Sequence, residues 1–138
     1  MNGFVTTQRY ARVLDLPLSL SQTELRAGKA FVIARIPLLL HQRLEMRSLT
    51  IMVNAILTPG VVPNFLNTAM SLCSAGLYRS TILTSPLAYT AFTQMTSTTN
   101  PFSPCVIETP GTYTVIVSNN TDNTDLSLTV TGSIKIYY

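Results

Sequence analysis

The chain has 138 residues, of which 46% are hydrophobic and only 11% charged, with a net charge of +3. That length suits a single domain spanning 1–138 with a real core, and that apolar content excludes a disordered chain. Ordinary soluble proteins carry about 25% charged residues. With 20 Thr and 12 Ser, hydroxyls must cover much of the wet surface here. Such a surface suits β-strands, because Thr is β-branched, and it suits an assembly in which charge is not needed to hold copies apart.

Residues 1–11 read as an N-terminal arm or short edge strand, with Phe4, Val5 and Tyr10 as anchors. A charged start followed by an apolar run is missing, so no secretory signal is expected. Val13 to Leu20 alternates Leu against polar residues and reads as a strand, which Pro17 places at a sheet edge. Ser21 to Arg26 reads as a loop or single turn, and Ala27-Gly28 as a turn. Lys29 to Leu40 is a long apolar strand in which Pro37 marks a bulge or a change of sheet. His41 to Arg47 leaves helical spacing open, since Leu40, Leu44 and Arg47 fall on one side. Ser48 to Leu57 is apolar on both parities, which predicts a central strand covered on both faces. The richest apolar runs, 30–40 and 49–57, are too short for a transmembrane helix.

Pro59-Gly60 breaks the chain. Asn64 to Ser74 carries a helical stripe, with Pro63 before it and Ala75-Gly76 after it, and is expected to form one short helix over 64–74. Leu77 to Leu83 and Leu87 to Met95 read as strands, 96–101 as a polar loop tip, and Cys105 to Glu108 as a short strand. After the Pro110-Gly111 turn, Thr112 to Ser118 is a strand and Asn119 to Thr124 a polar loop. Asp125 to Tyr138 then alternates strictly. The last two strands are predicted to form a hairpin. The final strand is twice as long as its partner, so residues 132–138 are expected to pair with the N-terminal third or with another subunit. The fold class is all-β, a β-sandwich or jelly roll of about eight strands.

No arrangement of residues announces chemistry. His41 is the only histidine and no Gly-x-Ser-x-Gly elbow exists. The six carboxylates, Asp15, Glu24, Glu45, Glu108, Asp122 and Asp125, do not cluster in sequence. Asp122, Asn123 and Asp125 have Ca2+-loop chemistry, but they read as an ordinary polar tip. Cys73 and Cys105 read as small buried hydrophobes rather than a disulfide or zinc ligands. The expectation is a non-enzyme without cofactor or metal.

The charge is unevenly spread. Residues 1–50 hold seven of the nine Lys and Arg against three acids, for +4, and residues 51–138 hold two against three, for −1. The basic residues are spread out without aromatic interleaving, so they read as ordinary solvated or interface charges, able to dock on an acidic partner surface, rather than as a nucleic-acid site; no membrane partner is expected. The candidate partner-binding residues are Arg9, Arg12, Arg35, Arg43 and Arg47 from this third, with Ile134, Ile136 and Tyr138 from the overhang.

The turn into a strand at Thr109-Pro110-Gly111-Thr112-Tyr113-Thr114-Val115, the Asn-rich tip and the Ser/Thr-alternating end together resemble small all-β virion proteins of tailed bacteriophages, in particular capsid decoration (cement) proteins. The resemblance implies a dimer or trimer, made in the host cytoplasm, that sits on the outer capsid surface. There it would bind the major capsid protein or another virion protein and tie capsomers together. The alternative is a glycan- or surface-binding β-sandwich of an adhesion fibre, with Tyr78, Tyr89 and Tyr137 exposed on one face.

Overall fold

A computed structural model describes residues 10–56, 73–92 and 104–138. They form eight strands, β1 (Val13–Leu25), β2 (Ala30–Leu38), β3 (Arg43–Ile56), β4 (Cys73–Arg79), β5 (Ala88–Phe92), β6 (Cys105–Ile107), β7 (Gly111–Asn119) and β8 (Asp125–Tyr137). Two antiparallel sheets result, in the orders β1-β8-β3-β6 and β2-β7-β4-β5. Strand pairs β1–β8, β2–β7, β3–β6 and β4–β5 all exist. The chain is thus one long hairpin of nested pairs, first with last and inward. Rolling that hairpin adds the β3–β8 and β4–β7 pairs. This nesting is jelly-roll topology.

The core lies between the two inner faces. Leu126, Leu128, Val130, Ile134 and Ile136 of β8 face Tyr113, Val115 and Val117 of β7, all at most 5% exposed. The alternating parity of β8 does this without interruption. On β3 it does not. Leu44 and Met46 are buried, and so are Leu49 and Ile51, which have the opposite parity. An irregularity between Met46 and Ser48 absorbs the extra residue and returns both pairs to the core. Comparable irregularities occur between Leu20 and Thr23 on β1 and between Val32 and Ala34 on β2. On β8, opposite the β3 irregularity, a Cβ at Gly132 would stand 2.8 Å from the Ser48 carbonyl oxygen.

Several expectations change. The predicted hairpin between the last two strands does not form, because β7 and β8 lie in different sheets. Residues 132–137 do pair with the N-terminal third, on both sides, through β1 and β3. Ser21 to Leu25 continues β1 instead of looping. Residues 43–47 are strand, not helix. Pro37 sits within the β2 edge pairing, and the irregularity falls at Ile33. The outer parity of β3 is open at Ser48, Thr50 and Met52, the last 63% exposed. Apolar side chains there overstated the cover. The expected helix over 64–74 lies outside the described residues except for Cys73 and Ser74, which are strand because β4 begins there. That strand ends at Arg79, short of the expected Leu83. Pro17 lies on an edge strand as expected.

A buried polar knot makes the chain cross between sheets after β7. Asn119 is 1% exposed, Thr121 0% and Thr124 3%. The Asn119 amide donates to the carbonyl oxygens of Leu25 and Thr124, both at 2.9 Å. Its Oδ1 accepts from the Thr121 backbone at 3.0 Å and from the Thr121 hydroxyl at 2.7 Å. Asp125 Oδ1 accepts from the backbone N–H of Ala27 at 3.1 Å. Both links run from the β7–β8 crossing to the β1–β2 turn, where Gly28 takes φ 71°. The Asx chemistry of this loop therefore directs a crossing rather than a tight hairpin.

Replacing Asn119 with Ala takes the side-chain partner from the Leu25 carbonyl and from the Thr121 N–H, while the Thr121 hydroxyl still reaches the Thr124 oxygen at 2.7 Å. A loss of roughly 2–4 kcal/mol in urea denaturation is expected. Deleting residues 134–138 strips the β1 and β3 ladders together and removes two buried Ile. The truncated chain is expected to be unfolded by circular dichroism, and native-like spectra would contradict this account of β8.

Candidate docking site

The edge strands β1 and β2 lie on the same side of the sandwich. Between them the two inner faces part and leave a cleft of about 370 Å³. Leu14, Leu16 and Ile136 form one wall, from the inner face of the first sheet. Ile36 and Pro37 of β2 form the other, and Arg35, Gln42 and Tyr138 also line the cleft. Leu14 is 46% exposed and Tyr138 45%, whereas Ile136 is buried at the floor. Gln42 is held in place by its own turn, since its Oε1 accepts from the Leu39 N–H at 2.8 Å and its N–H donates to the Leu39 oxygen at 3.1 Å. The same turn presents Leu39 and Leu40 to solvent. His41 sits at its corner, exposed, with φ 68°.

The charges sort by place. On the outer face of the first sheet Glu45 holds Arg43 at 3.0 Å and Arg47 at 2.7 Å. Arg47 also donates to the Tyr137 hydroxyl at 2.9 Å, and that hydroxyl donates to Glu45 at 3.1 Å. The hydrogen bond to Tyr137, followed by the contacts with Glu45, holds the Arg47 pKa above its ordinary value. Lys135 meets Asp15 at 2.6 Å. Tyr10 packs against the Tyr137 ring at 5.7 Å and donates to Glu108 at 3.4 Å. Its phenol is pushed up by desolvation and then by the Glu108 carboxylate. Solvent screens these surface pairs, so the network shapes the surface more than it stabilises the fold.

Arg79 donates to the Pro110 oxygen at 3.3 Å. Arg12, Arg26, Lys29 and Arg35 are exposed and form no ion pair with a described residue. All four lie just before β1, on β2, or in the turn between these strands. Among the described residues, positive charge without an ion-pair or hydrogen-bond partner on its side chain is thus confined to the edge that carries the apolar cleft.

The candidate partner residues divide accordingly. Arg35, Ile136 and Tyr138 meet at the cleft, and Arg12 adjoins it through mutual backbone hydrogen bonds with Tyr138 at 2.9 and 3.0 Å. Arg43 and Arg47 belong to the Glu45 network on another face, and Ile134 is wholly buried core. Arg9 lies outside the described residues. Sequence reasoning missed Leu14, Leu16, Ile36, Pro37 and Gln42. The proline-marked edge strand was the available signal, because inward-facing side chains near the rim of an edge strand lose their cover. The three tyrosines do not share a face, since Tyr78 and Tyr89 are on the second sheet and Tyr137 is on the first.

Asp125 is engaged with the Ala27 N–H, so it serves the β1–β2 turn. Among the described residues no group of three or more His, Cys, Asp or Glu comes together. Cys73 and Cys105 are both free thiols. Burial pushes Cys73 up to about 12 from its ordinary 9.0, and burial also raises the pKa of Cys105. No protein-family model, curated protein or solved structure matches this chain.

The thiols make a direct test of this packing. Alkylation of the folded protein is expected to label the half-buried Cys105 well before Cys73, with both labelled in urea. The folded state also holds the Cys73 proton more tightly than the unfolded state does. That contribution is complete below about pH 9 and is lost as pH rises toward about 12, by up to about 4 kcal/mol. The difference between the stability–pH curves of the native protein and Cys73→Ala is expected to show this alkaline slope.

Proposed function

We propose that the protein is a virion structural protein, a capsid decoration protein that binds the outer shell and stabilises contacts between capsomers through its β1–β2 edge. One observation carries the reading. Every described cation away from that edge has a protein partner, whereas the four unpaired cations lie along it, Arg35 in an open apolar cleft, Arg12 beside that cleft, and Arg26 and Lys29 in the β1–β2 turn at the far end of the edge. Such an edge suits docking on a protein surface by buried area and charge complementarity. The jelly roll recurs in viral capsid domains and in lectins, so the fold by itself leaves both roles open. The separation of Tyr78 and Tyr89 from Tyr137 removes the shared aromatic face that a glycan-binding role would use.

The outer face of the first sheet supports the same reading. Ser19, Thr131 and Thr50 lie abreast across three strands, as do Pro17, Ser133 and Ser48. This neutral, hydroxyl-rich stretch, beside the ion pairs of Glu45 and Asp15, is suited to crowding among like copies on a shell.

Particles lacking the protein are expected to lose their contents at lower temperature or milder osmotic shock than complete particles. Added protein should restore them and cosediment with the shell. Unchanged particle stability with and without it would overturn the proposal.

A further inference from the structure

The β1–β2 edge also says what kind of surface it fits. We infer that it binds an acidic, apolar peptide segment of a partner protein, whose apolar side chains enter the cleft while flanking carboxylates meet Arg35 and Arg12. This inference rests on the reading of that edge as the docking edge and adds the chemistry of its partner.

The cleft comes first. Its volume of about 370 Å³ falls at the small end of ligand pockets, about 300–1,000 Å³, and suits one or two large aliphatic or aromatic side chains. Leu14, Leu16, Ile36 and Ile136 give it an apolar lining, and Leu14 and Tyr138 stand half open at its mouth. Arg35 provides a cation in the same cleft, exposed and unpaired. An apolar group beside a carboxylate matches both features, because the guanidinium offers a planar fork to a carboxylate.

A second copy of this chain does not fit the charge. Asp15, Glu45, Glu108 and Asp125 are already engaged with Lys135, with Arg43 and Arg47, with Tyr10 and with the Ala27 N–H. Glu24, on the same edge, is the exposed carboxylate left without a partner, apart from Asp122, which has contacts of its own. One carboxylate does not complement Arg12, Arg26, Lys29 and Arg35. The acidic segment therefore comes from a different chain. Simple strand addition along the edge is also disfavoured, since Pro17 and Pro37 each remove a backbone donor from the two edge strands. Recognition falls to side chains.

The test uses the full chain and a fluorescent, capped peptide of alternating leucine and glutamate, read by anisotropy and by amide shifts in NMR. Controls are a leucine–lysine peptide, a serine–glutamate peptide and anionic phosphatidylglycerol vesicles. The leucine–glutamate peptide is expected to bind best and to shift Leu14, Arg35, Gln42 and Tyr138. Leu14→Asp, at an exposed position, should keep the native circular dichroism spectrum and weaken binding at least about tenfold. Arg35→Ala should weaken it about two- to fivefold and reduce its salt dependence.

Equal binding of the serine–glutamate peptide, preferential binding of the vesicles, or shifts confined to other surfaces would overturn the inference. So would a concentration-dependent dimer whose interface shifts are those of the cleft. The particle experiment fails separately. Particles that depend on the protein, together with a cleft that ignores the peptide, would refute this partner chemistry and leave the virion role standing.

Discussion

Four hydrogen bonds converge on the side-chain amide of Asn119, and the roll of the chain depends on them. Both amide donors and both acceptor sites of Oδ1 are used, at distances between 2.7 and 3.0 Å. The partners belong to the end of β1 in one sheet and to the segment that leaves β7 for the other. At 1% exposure, such a group is costly unless every bond is made. The complete set therefore selects one path for residues 120–124, the path that carries the chain across the sandwich. Once β8 starts in the first sheet, its inner parity meets the core along its whole length and its two edges receive β1 and β3.

That crossing decides where the surfaces lie. β8 is enclosed between neighbours, and its outward Ser and Thr residues become part of a hydroxyl face. β1 and β2 are left as edges on the same side, each with one ladder partner. Inward-facing side chains near such a rim are only half covered, which is how Leu14 and Tyr138 become exposed and how a cleft opens above Ile136. The docking edge is thus a consequence of topology. Paired charge elsewhere sharpens it, because Glu45 and Asp15 hold Arg43, Arg47 and Lys135 in ion pairs on the adjoining outer face.

Much of the strand content was legible because alternation is a local signal. The run from Asp125 to Tyr138 reads as a half-buried strand from its own side chains, and it is one. Pro17 marked an edge strand for an equally local reason, the missing N–H. The breaks of parity at Arg47 and Ile33 were harder. A one-residue irregularity looks in sequence like lost periodicity, which is why 41–47 left a helix open. The hairpin between β7 and β8 failed for a different reason. Asn119, Thr121 and Thr124 have turn chemistry, but whether a polar loop reverses within a sheet or crosses to another depends on which distant carbonyl it reaches. Here that carbonyl is Leu25, 94 residues away.

The all-β class, the abundance of hydroxyls over charges, and the weight of basic residues in the first third are legible in the amino-acid order alone. Those properties follow from side-chain type and from a period of two, which each segment carries alone. The nested pairing, the separation of β7 from β8, and the meeting of Arg35, Ile136 and Tyr138 at one cleft with Arg12 beside it arise on folding. Folding also removes Arg43, Arg47 and Ile134 from that site, two into an ion-pair network and one into the core. Strand partners and unpaired charges are properties of neighbours far apart in the chain, set by the cost of leaving buried polar groups unbonded and apolar faces uncovered.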